Sequence, residues 1–398
     1  MASLGKTLTI ALMAACALVG VYGSFITSLL HGLFDAIKAC ITDRSPETCV
    51  LDMSHSPYSS PKPYTGVRFI DAEIALLLEF FAQGVKGQAS GDKLDLDAVL
   101  TFTYMCAQFG GAWYLMALEG LRRGSEGTLL RRTGIIGVTF QAITINVVAA
   151  IYFTIQLLLD PASSNPAAVL ADPADLELLP LSTFISFVIP SIGLSLPLLN
   201  VLDREGNYAA IALWQPFPLY QAVVHPVLRA IYGTFCGRTN PSRHDPARQK
   251  KALDRAYRFV LGLTVGIHLL VVGIIVASLT LDAVPRTSPM EILAPTSLSD
   301  PPTLALLYPP VSAIDSRTIV ASFLRWDVYG TCASLAFWAM YQWQSVREGS
   351  RLAVVLAKSL FWAVLGGPLC PAIMLLWERD SVALRRSSRP TRSGKKDQ

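Results

Sequence analysis

The chain has 398 residues, 52% of them hydrophobic and 16% charged, with a formal net charge of +4. A soluble domain carries about 25% charged residues, so a large soluble enzyme is excluded, and so small a basic excess leaves no nucleic-acid footprint. The basic residues lie in short clusters beside apolar blocks, which is how membrane orientation is set, and the fold class reads as all-α, a polytopic transmembrane helix bundle.

Thr7 to Leu30 is the first apolar block, long enough to span and too long for the core of a cleaved signal peptide. His31 to Arg68 follows as a Pro- and Ser-rich loop, where Cys40 and Cys49 can pair if the loop is luminal. The stretch PYTGVRFIDAEIALLLEFF, Pro63 to Phe81, opens as a loop at Pro63 and Gly66 and turns helical. Its apolar run is short for a full span, which predicts an interfacial or re-entrant helix. Asp71, Glu73 and Glu79 sit inside it. At about 100° per residue, Asp71 and Glu79 share one side while Glu73 lies opposite, so the three cannot share one site.

Ala98 to Leu118 is a span carrying Tyr104, Gln108, Trp113 and Tyr114, closed by Glu119. Arg122, Arg123, Arg131 and Arg132 put the next loop in the cytosol. Gly134 to Leu159 reads as another span, with Gln141, Asn146 and Gln156. Asp160 to Glu177 is an acidic loop, and Leu178 to Leu202 a span bent near Pro190 and Pro197. Ala209 to Gly233 is interrupted by Pro216, Pro218 and Pro226, so it kinks or breaks. Arg238 to Arg258 is basic, hence cytosolic, and Phe259 to Leu281 is a span with His268.

After the Pro-rich loop Asp282 to Arg317, Ile319 to Gln344 spans with Arg325, Trp326, Asp327, Trp338, Tyr341 and Trp343 inside. Leu352 to Trp377 is broken by Gly366-Gly367-Pro368. Residues 1–378 thus form a polytopic membrane domain of about seven to nine helices, and residues 379–398 a basic, disordered C-terminal tail. The orientation does not close. With both basic loops cytosolic, one segment between them fails to span, and the Pro-interrupted Ala209 to Gly233 is the expected one. The tail then lies on the wrong side unless the last block is re-entrant.

Two residue classes point to chemistry inside such a bundle. Carboxylates within apolar segments (Asp71, Glu73, Glu79, Glu119 and Asp327) are costly in a bilayer and are functional candidates by default. Aromatics such as Tyr104, Trp113, Tyr114, Trp214 and Trp326 stabilise cations through the ring face. A buried acid in an aromatic, water-excluding pocket is what a proton-started carbocation cyclisation requires. The bland readings compete: tryptophans in a membrane-interface belt, Asp327 paired with a residue of another helix, and Glu119 paired with Arg122 or Arg123. Asp71 is the preferred single acid. The sequence holds no Asp-Asp-x-x-Asp run for magnesium-dependent diphosphate ionisation, no Walker A loop, no HExxH and no cysteine-based haem site.

The Pro63 to Phe81 stretch resembles the Pro-x-Tyr-Thr-Gly, Asp, Leu-rich and Phe-Phe pattern of a fungal family of integral-membrane terpene cyclases. GGAWYLMALEGLRRGSEG, Gly110 to Gly127, resembles a second block of the same family. Members occur in meroterpenoid and indole-diterpene pathways, including the ascochlorin and macrophorin types. The resemblance implies protonation of a terminal epoxide or alkene on a prenylated aromatic or polyketide, then ring closure. It implies no metal and no redox cofactor. Asp71, Glu73 and Glu119 are the acids inside the matching blocks.

The expected catalytic set is therefore Asp71, Glu73, Glu119 and Asp327, with Tyr104, Trp113, Tyr114 and Trp326 around the substrate. The expected partners are an isoprenoid or meroterpenoid substrate, the lipid bilayer and other pathway enzymes, without nucleic acid. The expected location is the endoplasmic reticulum membrane. A non-catalytic exporter of a secondary metabolite is the rival reading, and a membrane scaffold for other enzymes a third.

Overall fold

The computed structural model describes residues 2–35, 37–38, 65–85, 96–159, 166–199, 201–202, 204–235, 246–282, 284–293, 316–347 and 351–387. Among them the chain is helical, with one isolated bridge between Arg122 and Ala171 and no strand. Cys40, Cys49 and residues 388–398 lie outside the described residues.

Helix α1 covers Ala2–Val21 and continues through a π turn, Tyr22–Ile26, into Thr27–Leu30. Next come α2 (Arg68–Val85), α3 (Leu96–Gly120), α4 (Thr133–Ile143) and α5 (Ile145–Leu159). Helix α6 runs from Pro173–Thr183 through a π turn to Ile189–Ser195. It starts sharply because Asp172 accepts from the Ala174 N–H at 2.9 Å and Pro173 needs no donor partner. Then follow α7 (Arg204–Trp214), α8 (Phe217–Phe235), α9 (Pro246–Thr280), the short α10 (Pro289–Leu293), α11 (Ser316–Val346), α12 (Leu352–Gly366) and α13 (Cys370–Ser387).

Among the described residues, thirteen helices exceed the expected seven to nine, because three apolar blocks are each two helices and the short α10 lies in a stretch read as a loop. Gln215–Pro216 divides α7 from α8, Thr144 divides α4 from α5, and Gly367–Leu369 divides α12 from α13. Three helical stretches are long and apolar enough to cross a membrane by themselves: Gly5–Leu30, Pro173–Ser195 and Ala247–Thr280. Apolar side chains such as Leu18, Leu158, Val223, Leu360 and Val364 stay exposed on the outside of the bundle, where lipid tails replace a protein partner.

Two of the paired blocks turn back. Tyr152 of α5 donates to the Met116 and Leu130 carbonyls at 3.1 and 3.2 Å, and Gln156 donates to Glu119 at 2.8 Å. Both arms of α4–α5 therefore return to the end of the bundle where α3 stops, and Thr144 is the tip of a V. In the last block Lys358 pairs with Glu378, Gly366 packs on Cys370, and Arg386 reaches the Val346 carbonyl at 2.9 Å. Helices α12 and α13 are a hairpin whose ends both lie beside the end of α11. At its turn, Gly367 takes φ 89°, and Gln108 of α3 accepts from the Leu369 N–H at 3.4 Å.

These turns change the expected topology. Gly134 to Leu159, read as a span, does not cross the bundle. The block expected to stop short runs its full depth instead: Tyr208 of α7 bonds Glu79 of α2 at one end, and Arg229 of α8 pairs with Asp172 and Asp175 at the other. The basic loop after α3, the start of α9 and the end of α13 then share one end of the bundle, which satisfies the positive-inside rule. The boundary expected at residue 379 falls inside α13, which continues to Ser387 with Arg379 and Asp380 fully buried.

Close approach at the centre depends on small residues. Asn146 of α5 lies between Gly20 of α1 and Gly330 of α11, and its amide donates to the Ala17 carbonyl at 3.0 Å. A Cβ on Gly20 would stand 1.9 Å from Asn146 Nδ2. Gly23 in the same way seats the Trp326 ring. Trp113, Trp326, Trp338 and Trp343 are all buried, so they pack the core and do not form an interfacial belt.

Candidate active site

A cavity of about 630 Å³ lies between α1, α2, α3, the α4–α5 tip, α7 and α11, within the range of roughly 300–1,000 Å³ usual for small-molecule sites. Nine of its 26 lining residues are aromatic. Phe25 and Phe80 stand edge-on to Phe323, with centroids 5.2 and 4.9 Å away, and Phe81 meets Trp214 at 5.3 Å. Phe109 meets Trp214 at 5.9 Å and Phe140 at 5.7 Å. These rings form a near-continuous arc of π faces around an apolar space.

Its polar lining is sparse: Asp97 and Thr101 on α3, Gln141 and Thr144 at the V tip, and Arg325 and Asp327 on α11. Gln141 is committed to the Gln215 carbonyl at 3.2 Å, which satisfies an acceptor freed by the α7–α8 break. Asp97 accepts from the Ser288 N–H through both oxygens, at 3.2 and 3.3 Å.

Asp327 is buried, and its Oδ1 accepts from the Asn146 N–H at 2.9 Å. A helix that begins inside a bilayer exposes unsatisfied N–H groups where no water can serve them. A carboxyl from a neighbouring helix answers that need and is itself fixed in place. The tip residue Thr144 has φ 106°, and among the described residues it is the one non-glycine with positive φ. For a β-branched residue this conformation costs of order 1–3 kcal/mol. It survives because Asn146, Gly20 and Gly330 lock the start of α5.

The other expected residues lie elsewhere. Asp71 closes the loop before α2, accepting from Thr65 N at 2.8 Å, Thr65 Oγ1 at 2.9 Å and Gly66 N at 3.0 Å. Glu73 is half-buried on α2 and does not line the cavity. Glu119 sits in a buried ion cluster at the basic end, bound by Arg122 at 3.0 Å, Arg379 at 2.8 Å and Gln156 at 2.8 Å. Asp380 completes it, bound by Arg122 and by the Tyr257 hydroxyl, each at 2.6 Å. Two guanidinium groups and two carboxylates cancel there and tie α3, α9 and α13 to the V.

Tyr104 meets His268 at 3.2 Å, Trp113 donates to Gln221 at 2.6 Å, and Tyr114 donates to the Ala256 carbonyl at 2.9 Å. With Trp326, these rings form the structural core behind the cavity and not its wall. The rings that do line it are mostly phenylalanines, indistinguishable in sequence from ordinary core. Thr144 was missed too, since the positive-φ break falls between Ile143 and Ile145 with no glycine or proline at the turn.

The fold and site define an all-α protein with membrane-spanning helices and a cavity, rich in aromatic side chains, that holds a fixed carboxyl. The chain belongs to the CtvD domain family, whose model matches residues 8–384. It is 24% identical to a terpene cyclase, ascI, of Acremonium egyptiacum over 84% of this chain and 83% of the relative. It is 21% identical to a terpene cyclase, atmA, of Aspergillus flavus over 92% and 94%. It is 27% identical to a terpene cyclase, ctvD, of Aspergillus terreus over 67% and 72%. No solved structure matches.

Proposed function

We propose that the protein is a membrane terpene cyclase acting on a prenylated aromatic or polyketide, with Asp327 as the acid that starts ring closure. The observation that carries this reading is the fixed carboxyl of Asp327 in a cavity lined mainly by aromatic and apolar side chains, with Asp97, Thr101, Gln141, Thr144 and Arg325 as its other polar lining. The names of the relatives support the same chemistry.

The steps balance without a redox partner. The Asp327 carboxyl gives its proton to a terminal epoxide oxygen or alkene carbon. A lone pair of the epoxide oxygen takes the proton and the C–O bond breaks onto that oxygen, or the alkene π pair takes the proton at one carbon; either way a carbocation is left on the substrate and a carboxylate on Asp327. An internal double bond supplies the electrons of the new C–C bond and passes the positive charge along the chain. Loss of a proton from a neighbouring carbon ends the sequence, and the product is an isomer of the substrate. The rings of Phe109, Phe140, Trp214 and Phe323 stabilise the moving charge, each by up to about 2 kcal/mol in a dry site. The apolar part of the wall limits the approach of water that would quench the cation.

The exporter reading gains one observation, since re-entrant hairpins meeting inside a bundle also build transport sites. Here, however, both hairpins enter from the same end, so they do not form an inverted pair across the membrane. The location we propose is the endoplasmic reticulum, alongside other enzymes of the pathway.

The test is conversion by the chain expressed alone in yeast microsomes, offered a farnesylated aromatic and its terminal epoxide. A cyclic product of unchanged mass that disappears in Asp327→Asn supports the reading. Absence of product with an inserted, folded protein, together with uptake of the same compound into vesicles, replaces it with the exporter.

A further inference from the structure

We propose that Thr144 is a positioning residue for Asp327: its hydroxyl donates to the carboxylate that forms when Asp327 gives up its proton. This rests on the cyclase reading above and adds a second residue to the reacting centre.

Three observations meet at this position. Thr144 lines the cavity and is only 7% exposed. Its Oγ1 lies beside the Asp327 carboxyl yet makes no hydrogen bond of ordinary geometry, although it is shut off from water. A buried hydroxyl set against a carboxyl, without a fully formed hydrogen bond to it, calls for a reason. Its backbone is held at φ 106°, which aims a β-branched side chain from the tip of the V into the site.

A donor beside a carboxyl serves its ionised form more than its protonated form. While Asp327 is protonated, it needs little from a second donor. As the proton leaves, negative charge grows on both oxygens. Oδ1 already accepts the Asn146 N–H at 2.9 Å, and the other oxygen takes the Thr144 hydroxyl. Donors aimed where charge develops stabilise the transition state more than the ground state. The V then acts as one catalytic module, supplying a backbone donor and a side-chain donor to an acid carried by α11.

The experiment compares wild type with Thr144→Val, Thr144→Ser and Thr144→Gly in the purified full chain, with the terminal epoxide of a farnesylated aromatic as probe. Thr144→Val is expected to lower kcat about 100-fold with KM within about twofold, as loss of one preorganised donor does. Thr144→Ser, which keeps the hydroxyl, is expected to recover most of the rate. Thr144→Gly is expected to be as slow as valine while melting no lower than wild type, since glycine accepts the positive φ without strain. The glycine variant carries the test should valine fail to fold.

Wild-type kcat in both Thr144→Val and Thr144→Gly overturns the proposal, and so does a serine variant as slow as valine. Wild type inactive on every prenylated probe sinks the cyclase reading and this role with it. An active wild type that Asp327→Asn silences but Thr144→Gly does not removes only Thr144.

Discussion

The Asn146 N–H of α5 donates to Asp327 Oδ1 of α11 at 2.9 Å, joining residues 181 positions apart. One hydrogen bond thus caps a helix that starts in the membrane interior and fixes a carboxyl against an aromatic cavity. The contact that caps the helix also holds the carboxyl proposed as the acid.

Replacing Asp327 separates those needs. Asp327→Asn keeps an oxygen for the Asn146 N–H but has no transferable proton, so the protein should fold and lose activity by about 10²–10⁴-fold, the usual worth of a general acid. Asp327→Ala should also lower the melting point, since an uncapped helix start costs about 0.5–2 kcal/mol. Asp71→Ala should instead retain activity within a few-fold, because Asp71 closes the Thr65–Gly66 turn and does not line the cavity. Product formation and thermal melting in detergent distinguish the three.

Trp214 touches Phe81, Phe109 and Phe217, with centroids 5.3, 5.9 and 5.1 Å away. Trp214→Leu removes the largest ring of the cavity wall while keeping its apolar character. The expected outcome is a shift toward products that leave the cascade early, as partly cyclised alkenes or water-quenched alcohols. Gas chromatography with mass spectrometry reads the ratio. An unchanged product profile would argue against cation stabilisation by this ring.

The ion cluster at the basic end should govern stability and not chemistry. Glu119→Gln leaves Arg379 facing Arg122 with one carboxylate fewer. Stranding a buried charge costs roughly 3–5 kcal/mol, enough to reduce the yield of folded protein sharply. The double variant Glu119→Gln with Arg379→Met should recover part of that loss. Fluorescence-detected size exclusion after heating measures both.

Topology offers an independent check. With α4–α5 and α12–α13 both re-entrant, the loop after Arg122 and the end of α13 at Ser387 lie on the same side. Cysteines introduced singly at Glu126 and Ser387, in a background lacking reactive thiols, should both label from the cytosolic face of intact microsomes. Opposite labelling would require one hairpin to cross.

Composition and hydropathy alone determined that this is an all-α membrane protein. The basic clusters marked which loops belong together, since charge beside apolar blocks is a local property of the chain. The breaks at Pro216 and at Gly366-Gly367-Pro368 were legible too, because those residues lack a donor or a side chain. Asp327 stood out as a charge inside a span. What it does there was not legible, because its partner is a backbone N–H on another helix.

Only the tertiary structure showed that Gly134 to Leu159 turns back at Thr144, a bend enforced by Asn146 wedged between Gly20 and Gly330. It also withdrew Glu119 from the site by surrounding it with two arginines from different parts of the chain, and it drew the cavity wall from phenylalanines that read as ordinary core. Hydrophobic pattern sets which segments enter the membrane. Which of them cross, and which acid faces open space, depends on contacts between residues far apart in sequence.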